Sequence, residues 1–311
     1  MSTTRQRLAS VACVAAWLVA ACGSAATPAT PAPTTTPQPS APPSAPPTPS
    51  PVPPPTATPA PTVPAYLDDL QGILAATVGV GNARIAFDIG FEGSTAAPDG
   101  TLISGAGEFA IGETQRARMD MDMSAAGLGK LEVIQDDVIV YMRGDAFKAI
   151  EPKGRWIRVD TTSDHPNAAA FSGTLSQQTD PWAALYYLLG ATAPPEVLEP
   201  ATIDGEPVRK LRLQLDLDTA VERAPARARD YLLVQADNIR QQGIESVFEA
   251  DVWVDDADRI RRIAYRFAMS TLKGGGQMTM SYDLSDLGLP VKITVPDPKD
   301  VVDIETLDLG S

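Results

Sequence analysis

From residue 82 onward the chain is dominated by strict alternation of apolar and polar positions. Ile85, Phe87, Ile89 and Phe91 alternate with Ala86, Asp88 and Gly90, and Met119, Met121 and Met123 alternate with Asp120 and Asp122. Leu211, Leu213, Leu215 and Leu217 are separated by Arg212, Gln214 and Asp216. Ile263, Tyr265 and Phe267 repeat the pattern around Ala264 and Arg266, as do Met278, Met280 and Tyr282 around Thr279 and Ser281. A period of two belongs to strands with one buried and one solvated face, the antiparallel case. Turn chemistry separates these runs at Pro98-Asp99-Gly100, Asp136-Asp137, Asp204-Gly205 and Asp255 to Asp258. The pattern predicts an α+β fold built on a large curved antiparallel β-sheet, a half-barrel of about ten strands joined largely as sequential hairpins.

A one-sided sheet needs a cover for its concave face, and three segments have helical character. Tyr66 to Val78 places Leu67, Leu70, Ile73 and Leu74 on one side. Asp180-Pro181 opens a second helix, with Asp as cap and Pro in the first turn, running from Trp182 to Leu189 and stopping at Gly190. The third runs from about Pro225 to Gln242, with Tyr231, Leu232, Val234, Gln235 and Ile239 near helical spacing and Gly243 as the stop.

The first 64 residues are of another kind. Arg5 and Arg7 precede an uninterrupted apolar and small-residue run from Leu8 to Ala21, the pattern of a secretory signal peptide. That run falls short of the roughly 20 apolar residues a spanning helix needs. Val19-Ala20-Ala21-Cys22-Gly23 resembles a lipobox; by that resemblance 1–21 is a lipoprotein signal peptide and Cys22 becomes the acylated first residue of the mature chain. Two or three acyl chains, palmitate among them, anchor stably where one exchanges. The other cysteine, Cys13, lies in the removed segment, so the domain has neither disulfides nor thiolate ligands. Residues 22–64 carry the anchor and a stalk. From Thr27 to Pro64 the stalk holds 17 of the chain's 29 prolines and no charge, so it cannot build a core. As a polyproline spacer at ~3.1 Å per residue it reaches on the order of 100 Å. Residues 65–311 form one globular domain.

Composition narrows the chemistry. All 39 acidic residues lie in that domain, and losing Arg5 and Arg7 takes the formal charge from −14 to −16, which opposes nucleic acid and anionic surfaces. One histidine, His165, and no domain cysteine exclude His/Cys metal clusters and Cys-His catalysis. A Ser-His-Asp triad would need His165 itself, and no G-x-S-x-G elbow is present. The carboxylate pairs Asp120/Asp122 and Asp216/Asp218 alternate with apolar residues and point from the solvated face of the sheet. The Asp255/Asp256/Asp258 cluster does not match a calcium-binding loop. Lys273-Gly274-Gly275-Gly276 reads as a flexible hairpin loop. The expectation is no enzyme, no cofactor, no metal and no catalytic residue.

Three stretches carry a family resemblance: Gly154-Arg155-Trp156-Ile157-Arg158-Val159, Asp180-Pro181-Trp182 to Leu189, and Met278-Thr279-Met280-Ser281-Tyr282 followed by Val291 to Pro296. With the lipobox and stalk they resemble the LppX/LprG-type lipoproteins of mycobacteria, within the wider LolA/LolB-like group. The resemblance covers most of residues 66–303. It implies a sheet wrapped around helices with an apolar cavity between them that accepts acyl chains. The lining expected is Ile85, Phe87, Ile89, Met119, Met121, Met123, Trp182, Leu185, Leu189, Leu213, Leu215, Tyr265, Phe267 and Met280. Three methionines on one strand face suit a deformable lining, although methionine at strand spacing is also ordinary core. The function implied is carriage or presentation of a lipid or glycolipid by a monomer anchored at the extracytoplasmic face of the cell membrane, with an envelope transport partner. A ligand-free interaction or envelope-sensor module on the same scaffold is the alternative.

Overall fold

A computed structural model describes residues 64–93, 99–111, 115–169, 183–241, 244–269 and 276–309. Cys22, the stalk and Trp182 lie outside the described residues. The chain enters through helix α1 (Ala65–Val78), which buries Leu67, Leu70, Ile73 and Leu74. Near its end the Thr77 hydroxyl donates to the Ile73 carbonyl at 2.8 Å and accepts the Ile260 N–H at 2.9 Å. That shared hydroxyl ties the helix to the sheet. Strands β1 (Asn82–Glu92), β2 (Gly100–Ile111), β3 (Gln115–Met123), β4 (Gly129–Asp136), β5 (Ile139–Gly144) and β6 (Trp156–Asp160) follow as antiparallel neighbours. The chain then returns through a 3₁₀ segment, Ala183–Gly190, and short strands β7 (Glu196–Val197) and β8 (Ala201–Ile203) to β9 (Glu206–Asp216). Helices α2 (Leu217–Arg223) and α3 (Ala226–Gln241) precede β10 (Val247–Val254), β11 (Ile260–Ala268) and β12 (Gln277–Ser285). Strand β12 pairs with β1, and β13 (Val301–Asp303) adds to β6 in parallel.

The result is one open sheet of thirteen strands in the order β13-β6-β5-β4-β3-β2-β1-β12-β11-β10-β9-β7, with β8 beside β9. It is the expected antiparallel half-barrel with more strands than the alternation shows. Strands β7, β8 and β13 are two or three residues long, too short to display a period. Asp137, Asp204 and Asp258 adopt positive φ at the hairpin tips, where Asp tolerates the left-handed conformation better than a bulky residue does.

Two expectations are corrected. The described part of the second helix, Ala183–Gly190, is 3₁₀. The alternation through Leu217 also overruns the strand, because the Asp216 carboxylate accepts the Thr219 N–H at 2.7 Å and caps α2. Asp216 and Asp218 are therefore not a pair on the sheet face; Asp218 is ion-paired with Arg240 from α3.

Directly opposed residues share a face, so register traces the concave side. One ladder runs Leu211, Val252, Ile263, Tyr282, Phe87, Gly105, Met121, Leu131, Gly144. A second runs Leu213, Ala250, Tyr265, Met280, Ile89, Ile103. The glycines are steric requirements. A Cβ on Gly107 would lie 2.2 Å from the Arg118 carbonyl oxygen of the neighbouring strand, and one on Gly105 would lie 2.4 Å from the Phe87 ring. Gly107→Ala should therefore lower stability by about 1–3 kcal/mol. Gly72→Ala, on the exposed side of α1 where no atom lies within 4 Å of the added methyl, should raise it by about 0.5–1 kcal/mol. Chemical denaturation of both variants checks the contrast.

Candidate functional site

The expected lining residues that are described gather on the same side of the sheet, but their surroundings differ along it. At the β9–β11 end the concave face is sealed by α1, α2, α3 and the 3₁₀ segment. Leu185, Leu189, Leu213, Leu215, Tyr265 and Phe267 belong to this continuous core. The Tyr265 hydroxyl donates to the Ala184 carbonyl at 2.6 Å, and the Phe248 and Phe267 rings stack at 4.4 Å between centroids. At the β5–β6 end a second cover lies over Val140, Met142, Ile157 and Val159. Its centre is Ile304 from the C-terminal segment, with Phe147, Ile150 and Ala168 around it. The Asn167 side-chain amide donates to the Ile304 and Leu307 carbonyls at 3.1 and 2.8 Å and fixes that segment.

Between the two covers lies a third apolar cluster. Phe87, Ile103 and Met123 are buried at its base, and Ile89, Leu102, Met119, Met121, Leu128, Leu131 and Tyr282 are half-buried around them. Met278 and Met280 on β12, paired with Phe91 and Ile89, are half-buried at the edge of the sealed core. Ile85 is buried one step away, opposite Gly107 and Leu284. Of the described expected residues, those on β9–β11 are buried together with Ile85, Phe87 and Met123, whereas Ile89, Met119, Met121 and Met280 are half-buried.

Sequence reasoning left out Ile103, Leu131, Tyr282 and Met278. Met278 and Tyr282 sit in an alternation that was visible, and Leu131 and Val133 alternate with Glu132. Ile103 was hidden, because the inward positions of β2 read Ile103, Gly105, Gly107, Phe109 and the two glycines erase the apolar period.

The opposite face is polar. A depression of about 660 Å³ over β1–β4 is lined by Asp88, Ser104, Arg118, Asp120, Asp122 and Lys130 together with Phe87, Met121 and Leu131. Asp120 and Asp122 are exposed on the solvated side, as their alternation implies. Asp255 organises the β10–β11 tip by accepting the Ala257 and Arg259 N–H groups at 3.0 and 2.9 Å. His165 Nδ1 accepts the Asn167 N–H at 3.3 Å and caps a short helical turn. Among the described residues, no three His, Cys, Asp or Glu side chains converge to hold a metal ion, and no helix is long and apolar enough to cross a membrane.

No family model and no curated protein matches the chain. Solved structures do. The Mycobacterium tuberculosis lipoprotein LppX is similar at 14% identity and a TM-score of 0.44, over 75% of this chain and 100% of that one. LprF from Mycobacterium bovis is similar at 15% identity and 0.44, over 75% and 98%. A LolA superfamily protein from Nitrosomonas europaea is similar at 10% identity and 0.26, over 72% and 94%. The resemblance read from the sequence is thus met again among solved structures. Likeness at this level assigns no ligand to this chain.

One carboxylate anchors the outer face above the sealed core. Asp251 on β10 is 4% exposed and receives Arg212 at 2.8 Å, Arg266 at 3.1 Å and Lys210 at 3.2 Å. Burial alone would raise its carboxyl, but hydrogen bonds from Arg212 and Arg266 outweigh that and hold it well below the usual carboxylate range. A depressed value means that its stabilisation is complete above the unfolded-state value of about 3.9 and is lost as pH falls below it. Asp251→Asn should cost about 2 kcal/mol at neutral pH and flatten the acid limb of the stability curve. Denaturation midpoints measured between pH 7 and about pH 2 check both effects.

Proposed function

We propose that the chain is a membrane-tethered extracytoplasmic lipoprotein that holds the acyl chains of a lipid or glycolipid against the inward face of β12, β1, β2 and β3, for carriage or presentation across the envelope and without catalysis. The observation that supports this reading is a difference in cover among the described residues: the apolar face is buried at both ends, while between them Ile89, Met119, Met121 and Met280 are half-buried above a buried base. Leaving such surface in water costs on the order of 25 cal/mol per Å², and an apolar ligand removes that cost.

Size and chemistry agree. From Ile85 to Phe91 the inward face of β1 extends about 20 Å at ~3.3 Å per residue, the scale of a long acyl chain. The inward positions of these four strands carry no charged side chain. Methionines on β3 and β12 give the surface unbranched side chains that adapt to a flexible ligand. The acylated Cys22 and the stalk expected from the sequence would keep the domain within reach of the membrane.

Mass spectrometry of lipids retained by the unacylated full chain (Cys22→Ser) tests the reading. A stoichiometric acyl lipid is the expected result; a reproducibly empty protein would reject it in favour of the ligand-free module. Met121→Trp should reduce retention several-fold with little change in Tm. Leu213→Ala, in the sealed core, should cost about 2–5 kcal/mol while each folded molecule retains lipid normally. Parallel loss of retention and stability in Met121→Trp would make Met121 ordinary core.

A further inference from the structure

All seven methionines after the initiator lie in the three apolar clusters, but they form two groups by exposure. Met123, Met142 and Met269 are 3%, 3% and 2% exposed. Met119 and Met121 on β3, and Met278 and Met280 on β12, are half-buried. Strands β1 and β2 separate these two pairs, a distance of roughly 14 Å at ~4.8 Å per strand. The half-buried methionines therefore flank the floor made by Phe87, Ile89 and Ile103.

We propose that these four methionines are a modification site: oxidation to the sulfoxide switches the apolar face from retaining acyl chains to releasing them. The proposal rests on the acyl-binding reading above. The reaction needs a two-electron oxidant of the peroxide class. The thioether sulfur attacks one peroxide oxygen and the O–O bond breaks. An S–O bond forms, sulfur loses two electrons, and the other oxygen leaves as water after protonation. Each event replaces an unbranched apolar side chain with a strong dipole, which disfavours contact with hydrocarbon. Exposure controls susceptibility, so the buried three act as an internal reference. Reversal requires methionine sulfoxide reductases for both epimers.

The test uses the Cys22→Ser full chain, graded hydrogen peroxide, peptide mass spectrometry and titration with a fluorescent sixteen-carbon fatty acid. Oxygen should appear at Met119, Met121, Met278 and Met280 about tenfold faster than at the other three. Fatty-acid affinity should fall about tenfold or more with the circular dichroism spectrum unchanged, and sulfoxide reductases should restore it. In a variant with leucine at all four positions, peroxide should leave the fatty-acid affinity unchanged, whatever its starting value. Equal oxidation of all seven, or oxidised protein that binds as before, overturns the proposal while leaving the acyl-binding reading intact. An untreated chain that binds no fatty acid overturns that reading and the proposal together.

Discussion

A one-sided sheet must have its apolar face removed from water, and the area of that face grows with every strand added. Here thirteen strands lie in one open sheet, while the cover among the described residues consists of α1, α2, α3, one 3₁₀ segment and a C-terminal segment. Helices pack in a band about 10 Å wide, roughly two strand spacings, so each covering element protects only part of the concave side. The cover is concentrated at the two ends, on Leu213 and Tyr265 at one and on Val140 and Ile157 at the other. Between the ends, Met119, Met121, Met280 and Ile89 are half-buried.

That division gives each end a different physical role. The β9–β11 end is close-packed, with buried aromatic rings from Tyr187, Phe248, Tyr265 and Phe267 in mutual contact. Its outer face is held by Asp251 among three cations. Such a region resists deformation, because interiors at crystal-like density accommodate extra volume poorly. The middle strands are built from the opposite materials: glycine at positions 105 and 107, which brings backbone and rings close, and methionine, which adapts its shape. A rigid end and an adaptable middle are what a site for a flexible apolar ligand requires.

The antiparallel sheet, the first and last long helices and the Asp-rich turns were legible because each rests on local chemistry: a period of two, a period of 3.6, or a residue that tolerates positive φ. What was not legible depended on contacts distant in sequence. The strand ending at Asp216 looks like one that continues to Leu217, since only the fold shows the Asp216 side chain turning back to cap α2. The lining set of Leu213, Leu215, Met119 and Met121 is homogeneous in sequence. It divides only because the helices fall on β9–β11 and Ile304 falls on β5–β6. Ile103 disappeared behind Gly105 and Gly107, the residues that shape the floor beside it.

The central claim is that the uncovered middle of the face, and not the sealed ends, meets the hydrocarbon. NMR of the unacylated full chain labelled with ¹³C at the methionine methyls, in the presence of a fatty acid, addresses it most directly. The account predicts intermolecular NOEs from the acyl chain to the Met119, Met121, Met278 and Met280 methyls, and none to Met142 or Met269. Contacts confined to Met142 or Met269, or an acyl chain that reaches no methionine methyl, would contradict it.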